Sequence, residues 1–213
     1  MAQRTIHYLI GEELLRRCDL RDAERFRVGN LLPDAHTQTS HREITHFPFR
    51  FIRGGEEMRG YDFERFRREF SPKVEEDSLY LGYYMHLVED ACYRRMWKAH
   101  GLKGRIKTDE DIRLLHRDYH ILNAYITARY GAGRVPEYPA HFEHEPVMRV
   151  YPFRLRELLE ALRGDFRERT EGETHFVTEA MLEEYLADAL PICADALGRV
   201  LDGRPLDPME LVW

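Results

Sequence analysis

The sequence predicts an all-α, multi-helix fold, on three observations. Apolar residues recur at helical spacing in several segments, as at Ile6, Ile10, Leu14 and Cys18. Helix-ending residues separate those segments, such as Gly29 with Pro33 and Gly131 with Gly133. No alternating apolar and polar run is long enough to predict a sheet. At 213 residues the chain suits one sizeable core, so residues 1–213 read as a single domain.

Each element has its own justification. Residues 5–18 carry the first apolar stripe behind Thr5, a plausible N-cap. A short helix over 22–30 ends in "GNLLPD", where Pro33 disfavours helix at Leu32. Residues 34–58 are rich in Thr, Ser and His and read as loop closed by Gly54 and Gly55. A short amphipathic helix follows over 61–70. Residues 76–98 are apolar in every direction from Leu79 to Tyr93, which marks a buried central helix. Residues 109–130 form a helix capped by Thr108 or Asp109. The four prolines of 134–152 make that stretch irregular. Helices over 152–163 and 178–201 complete the chain, the last N-capped by Thr178 and containing Pro191.

Composition excludes some function classes. The net charge of -6, with acids and bases interspersed, gives no general field for nucleic acid, although local basic patches are compatible with it. No run approaches the roughly 18–20 apolar residues of a membrane span. His7, Gly11, Glu12 and Glu13 interrupt the apolar residues of the first segment, so no export signal is expected. Cys18, Cys92 and Cys193 then read as reduced thiols of a cytoplasmic protein.

The informative residues are polar ones on apolar faces. A helix turns by about 100° per residue, so faces can be assigned. His7 falls in the stripe of Ile10, Leu14 and Cys18. His86 and Asp90 share one face of the central helix a turn apart, where an imidazole and a carboxylate can converge on a metal ion. Glu89 points elsewhere, nearer Met85 and Met96. Asp118 lies within the arc of Leu115, Tyr119 and Leu122, whereas His116 sits at its border beside Asn123 and His120 lies opposite. His36, His41 and His46 populate the polar loop. Arg42, Arg50 and Arg53, flanking "HFPFRF", could meet a phosphate or form the solvated edge of the loop, the latter being the favoured reading. His141 and His144, bounded by prolines, read as solvent-facing. A lone histidine on an apolar face is usually a hydrogen-bonded core residue. Three helices with inward His or Asp, and a His-rich loop to join them, also fit a metal centre of the kind helical proteins build. The residues alone leave both readings open.

Three stretches taken in order, "HYLIGEELL", "VGNLLPDAHTQTSHREITHF" and "LGYYMHLVEDACYRRMW", resemble the bacterial zinc-dependent phospholipase C family, related in fold to the P1-type nucleases. The pattern is an N-terminal His (His7), Gly-x-x-x-Pro-Asp (Gly29 to Asp34), a following His (His46), then Gly-Tyr-x-x-His-x-x-x-Asp (Gly82 to Asp90). "LHRDYHILN" (115–123) looks like a segment of intracellular members. The resemblance covers residues 5–123. It implies a phospholipase C/P1 nuclease-like bundle around one to three zinc ions, with other first-row divalent metals able to substitute. It implies hydrolysis of a phosphate ester, a small molecule or lipid head group, by hydroxide from zinc-bound water. His7, Asp34, His46, His86, Asp90 and Asp118 would be ligands, and Asp34 the bridging ligand or general base. Tyr83, Glu89, Asn123, His116 and His41 would support the site or face substrate. The sequence departs from the pattern where "CYRRMW" occupies the place of a further His shortly after Asp90, and where the next helix offers Asp118 in place of His-x-x-x-Glu.

Other helical metalloenzymes fit less well. There is no His-Asp dipeptide and no His-Glu-x-x-His, and the one Glu-x-x-His, Glu43 to His46, falls in the loop. The alternative to an enzyme is a helical domain that keeps the metal without catalysis and binds a partner or a phosphorylated ligand.

Overall fold

In the computed structural model, which describes residues 2–36, 38, 41–204 and 206–213, the described residues form ten α-helices, one of them long and central. They are α1 (Arg4–Arg17), α2 (Ala23–Leu31), α3 (Arg42–Thr45), α4 (Phe63–Glu69), α5 (Lys73–Glu76), α6 (Ser78–Ala99), α7 (Leu102–Arg105), α8 (Asp109–Tyr130), α9 (Leu155–Asp165) and α10 (Glu179–Leu201). Side-chain oxygens of Asp22, Asp62, Asp77, Thr108 and Thr178 accept amide hydrogens at the starts of α2, α4, α6, α8 and α10. Each satisfies a donor that the first helical turn leaves free. Thr5 is not a cap. It lies inside α1 and its hydroxyl donates to Asn123 Oδ1 at 2.8 Å.

The fold is mostly helical, as predicted, with one correction in the 34–58 loop. Its second half is an antiparallel hairpin, β1 (Pro48–Arg53) and β2 (Glu56–Tyr61), in the register Pro48↔Tyr61 to Arg53↔Glu56. Gly54 and Gly55 both take positive φ, 61° and 86°, the conformation a two-residue hairpin turn needs. The backbone of Trp213 pairs with Arg59 in both directions, so the C-terminal residues cover the edge of β2.

α6 is buried on all sides from Ser78 to Tyr93. Its closest neighbour is α2, and two glycines explain why. A Cβ on Gly29 would lie 1.9 Å from the Leu79 carbonyl oxygen, and one on Gly82 would lie 2.3 Å from that of Phe26. The two backbones therefore touch. That contact sets Asn30, one residue past Gly29, against the turn of α6 that carries His86 and Glu89. α1 and α10 pack on other faces of α6. No helix among the described residues is long and apolar enough to cross a membrane.

Candidate metal centre

Three imidazoles and two aspartates meet where α1, the turn after α2, α3 and α6 converge. Two groups of side chains bring ligand atoms close enough for one ion each: His7, His86 and Asp90, and Asp34, His46 and His86. His86 belongs to both. Its Nε2 lies 3.1 Å from His46 Nε2 and 4.0 Å from Asp34 Oδ1. His46 Nε2 is 3.4 Å from Asp34 Oδ1 and 3.5 Å from Asp90 Oδ2, and His7 Nε2 is 3.6 Å from Asp90 Oδ1. The rings of His7 and His86 stack at 3.8 Å.

The opposite nitrogen of each ring is already engaged. His7 Nδ1 lies 2.7 Å from Glu89 Oε2, and the other oxygen of Glu89 accepts from Asn30 Nδ2 at 2.6 Å. His86 Nδ1 donates to the Asn30 carbonyl at 2.8 Å, which leaves its Nε2 lone pair aimed at His46. His46 Nδ1 pairs with Thr45 Oγ1 at 2.9 Å. Metal-binding histidines are characteristically oriented by such a bond to a carboxylate or carbonyl. Tyr83 contributes indirectly. Its hydroxyl donates to the Thr45 carbonyl at 2.5 Å and ties the peptide next to His46 onto α6. Phe47, with φ of 49°, turns the chain sharply into β1 just past His46.

The donor set fits a cation. Asp34, Glu89 and Asp90 are three carboxylates in or at the edge of the buried core, and the Arg42 guanidinium is paired with Asp90. Buried charge of one sign is costly unless it is compensated. Among the described residues, His7 Nε2 and Asp34 Oδ1 are buried without a hydrogen-bond partner. The ionisation pattern expresses the same deficit. Burial pushes the His7 imidazole down, but Asp90 and Glu89 outweigh it and raise its pKa to about 9. Burial pushes the Asp34 and Asp90 carboxyls up, yet His46 beside Asp34, and Arg42 and His7 beside Asp90, hold both well below the usual range. Burial, with help from Arg42, lowers His46 to about 4, and burial lowers His86 further, so both are neutral. Neutral imidazoles beside ionised carboxylates are the donors that zinc and other first-row divalent ions take.

Not every residue expected at the site reaches it. His7, Asp34, His46, His86 and Asp90 are brought together. Asp118 is not. It is fully buried, but its carboxylate accepts the backbone amides of His175, Phe176 and Val177 at 2.9, 2.7 and 3.0 Å. The apolar arc of α8 predicts its burial, and the loop before α10 is what it faces. His116 is exposed on α8. Asn123 braces α8 against α1 through Thr5 and has no hydrogen bond to the cluster. His41 pairs with the Tyr151 hydroxyl at 2.6 Å, outside both groups. His141 and His144 are exposed.

Some contributors were misread or missed. Helix geometry sets Glu89 toward the methionines, whereas it faces His7; the resemblance names it among the supporting residues. Arg42 is not a solvated loop edge: its side chain is 11% exposed and its guanidinium is on Asp90. Asn30, inside the Gly-x-x-x-Pro-Asp stretch, serves both Glu89 and His86. Both ring nitrogens of His36 are buried without a hydrogen-bond partner among the described residues, with Nε2 3.9 Å from Asp34.

No protein-family model matches the sequence, no curated protein is similar to it at a significant level, and no solved structure matches its fold at that level. Fold and site thus define a helical protein with a buried His/Asp cluster able to hold a metal ion.

Proposed function

We propose that the protein is a metal-dependent phosphoric ester hydrolase, with zinc the first candidate for its ion. One observation carries the reading: three imidazole Nε2 atoms and the carboxylates of Asp34 and Asp90 converge on a small volume, each ring being held by a bond on its far nitrogen. His7, His86 and Asp90 would hold one ion, and Asp34, His46 and His86 would hold or share a second. A divalent ion bound there supplies Lewis acidity toward phosphoryl oxygens and an acidified water. Ion binding would displace the proton that His7 otherwise holds.

The chain's own residues divide the remaining work. Glu89 and Asn30 fix the His7 and His86 rings. Asp34 is at the rim, its side chain 9% exposed while those of the three histidines and Asp90 are 0%. It is therefore the carboxylate placed to meet an incoming water or ester. Three free thiols, two of them buried, support a reducing compartment such as the cytoplasm.

The second reading is a closed structural metal site, and the burial of the ligands favours it. A catalytic ion keeps an open coordination position, whereas a structural one is closed by four protein ligands. Asp34→Asn separates the two. Metal per chain is measured by elemental analysis, and turnover with bis(p-nitrophenyl) phosphate. The hydrolase reading expects a folded variant whose turnover falls by at least about a hundredfold. Full activity in Asp34→Asn removes Asp34 from the chemistry. Metal-loaded wild type without turnover on any phosphate ester leaves the structural reading.

A further inference from the structure

α6 carries its charged stripe past the cluster. His86, Asp90, Arg94 and Lys98 follow at four-residue spacing and so lie on one face. At about 1.5 Å per residue, Arg94 stands roughly 6 Å and Lys98 roughly 12 Å along the axis from Asp90. Beyond Asp90 this face opens into a cleft of about 630 Å³ between the hairpin and the last turns of α6. Arg42 and Tyr61 form the wall shared with the cluster. The Arg42 guanidinium is on Asp90, the Tyr61 ring lies 5.6 Å from that of His46, and both residues line the cleft.

The cleft is cationic. Arg42, Arg50, Arg59, Arg94, Lys98 and Lys103 line it, against Glu43 and Glu57. Glu57 is taken by Arg59, Glu43 lies 3.5 Å from Arg50, and Asp90 engages Arg42. No carboxylate comes within ion-pair distance of Arg94, Lys98 or Lys103 among the described residues. Lys98 and Lys103 therefore face the cavity without an ion-pair partner, and Arg94, turned toward Tyr61 and Asp90, adds to the cationic lining. The chain's two tryptophans, Trp97 and Trp213, also line it, with the Arg94 guanidinium 5.5 Å from the Trp97 ring. Cations set among aromatic walls suit an anion on an organic frame.

We propose that this cleft holds the remote end of a multiply anionic small substrate. A second phosphate sits against Arg94, Lys98 and Lys103 while the reacting phosphate meets the His/Asp cluster. A zwitterionic head group is disfavoured, because it would bring its own cation against the exposed ammoniums of Lys98 and Lys103. Binding energy gained at the remote phosphate positions the reacting one. The reacting end rests on the phosphoesterase reading, whereas the charge of the cleft does not.

Because both tryptophans line the cleft, intrinsic fluorescence reports its occupancy. The metal-loaded protein is titrated with hexyl phosphate and with hexane-1,6-diol bisphosphate, which differ only in the second phosphate. The comparison is repeated in Lys98→Gln/Lys103→Gln, both exposed positions outside the cluster. The bisphosphate is expected to bind at least about tenfold tighter than the monophosphate, and the double variant to lose most of that advantage while binding the monophosphate as before. Added salt weakens the bisphosphate more. Equal affinity for the two ligands, or a double variant that keeps the wild-type preference, overturns the proposal. Turnover of bis(p-nitrophenyl) phosphate, a single anion, is followed in the same samples. Charge-selective binding without turnover retains the cleft and rejects the hydrolase, and turnover without charge selectivity does the reverse.

Discussion

Asp90 and Asp118 invite comparison because so much about them is the same. Each lies on a 22-residue helix, each is fully buried, and each falls on an apolar face. They differ in the donors they meet. Asp118 accepts three backbone amides from one loop, which satisfy it with fixed N–H groups at 2.7 to 3.0 Å. Asp90 accepts only one backbone amide, that of Ala2 at 3.1 Å, among the described residues; its other neighbours are the Nε2 atoms of His7 and His46 at 3.6 and 3.5 Å, and Arg42, which reaches it from the loop side. An acid on an apolar face therefore does not by itself mark a metal site. A site is marked when the groups around the acid are ligands themselves and their other atoms are already engaged.

The sharpest way to break this comparison is to remove the residue that both ligand groups share. His86→Ala is expected to lower metal affinity by about a thousandfold or more, read by elemental analysis after dialysis and by titration against a chelator. Wild-type metal content in that variant would dissolve the cluster as a centre. Asp118→Ala should do the opposite. Metal per chain stays unchanged, while unfolding in urea shows a loss of about 3 kcal/mol. Hydrogen bonds to a charged acceptor contribute roughly 1.5–3 kcal/mol each, and the freed loop recovers part of that from water. Loss of metal from folded Asp118→Ala would place the two aspartates in one site after all.

The same pair shows how far the sequence could be read. Helical periodicity located both acids at buried positions, and it located α1, α2, α6, α8 and α10 to within a few residues. What it lacked was the partner. Asp118 meets residues 175–177, well over fifty positions away, and no local pattern encodes that meeting. Glu89 was set apart from His86 and Asp90 because faces were assigned on one helix at a time, and its partner His7 is on another. Asn30 was passed over, and Arg42 placed at the loop edge, for the same reason, since each acts by reaching across to α6. The hairpin is a different kind of failure. Phe49 and Phe51 alternate with Arg50 and Ile52 ahead of Gly54-Gly55, which is a legible two-residue hairpin signal. The prevalence of Thr, Ser and His just upstream obscured it.

A smaller effect sharpens the comparison further, because it concerns a residue outside both ligand groups. Glu89→Gln keeps the volume of the side chain and removes one acceptor. Glu89 now accepts on both oxygens, from His7 at Oε2 and from Asn30 at Oε1. A glutamine has one carbonyl oxygen for these two tasks. If its amide group faces His7, the Nδ1 atom must accept and the ring proton moves to Nε2, where it blocks ligation. If its oxygen faces His7, its NH₂ opposes that of Asn30. Either outcome disturbs a ring that the metal needs, so affinity should fall by about 10–100-fold with the fold intact, as losses of such orienting partners do elsewhere. Asn123→Ala is the matched control: Asn123 is also buried and polar, but it bonds Thr5 and not a ligand ring. Its metal affinity should stay within about twofold of wild type. If Glu89→Gln and Asn123→Ala shift affinity equally, then burial near the cluster, and not the bond to His7, governs the metal, and the distinction drawn between Asp90 and Asp118 loses its physical basis.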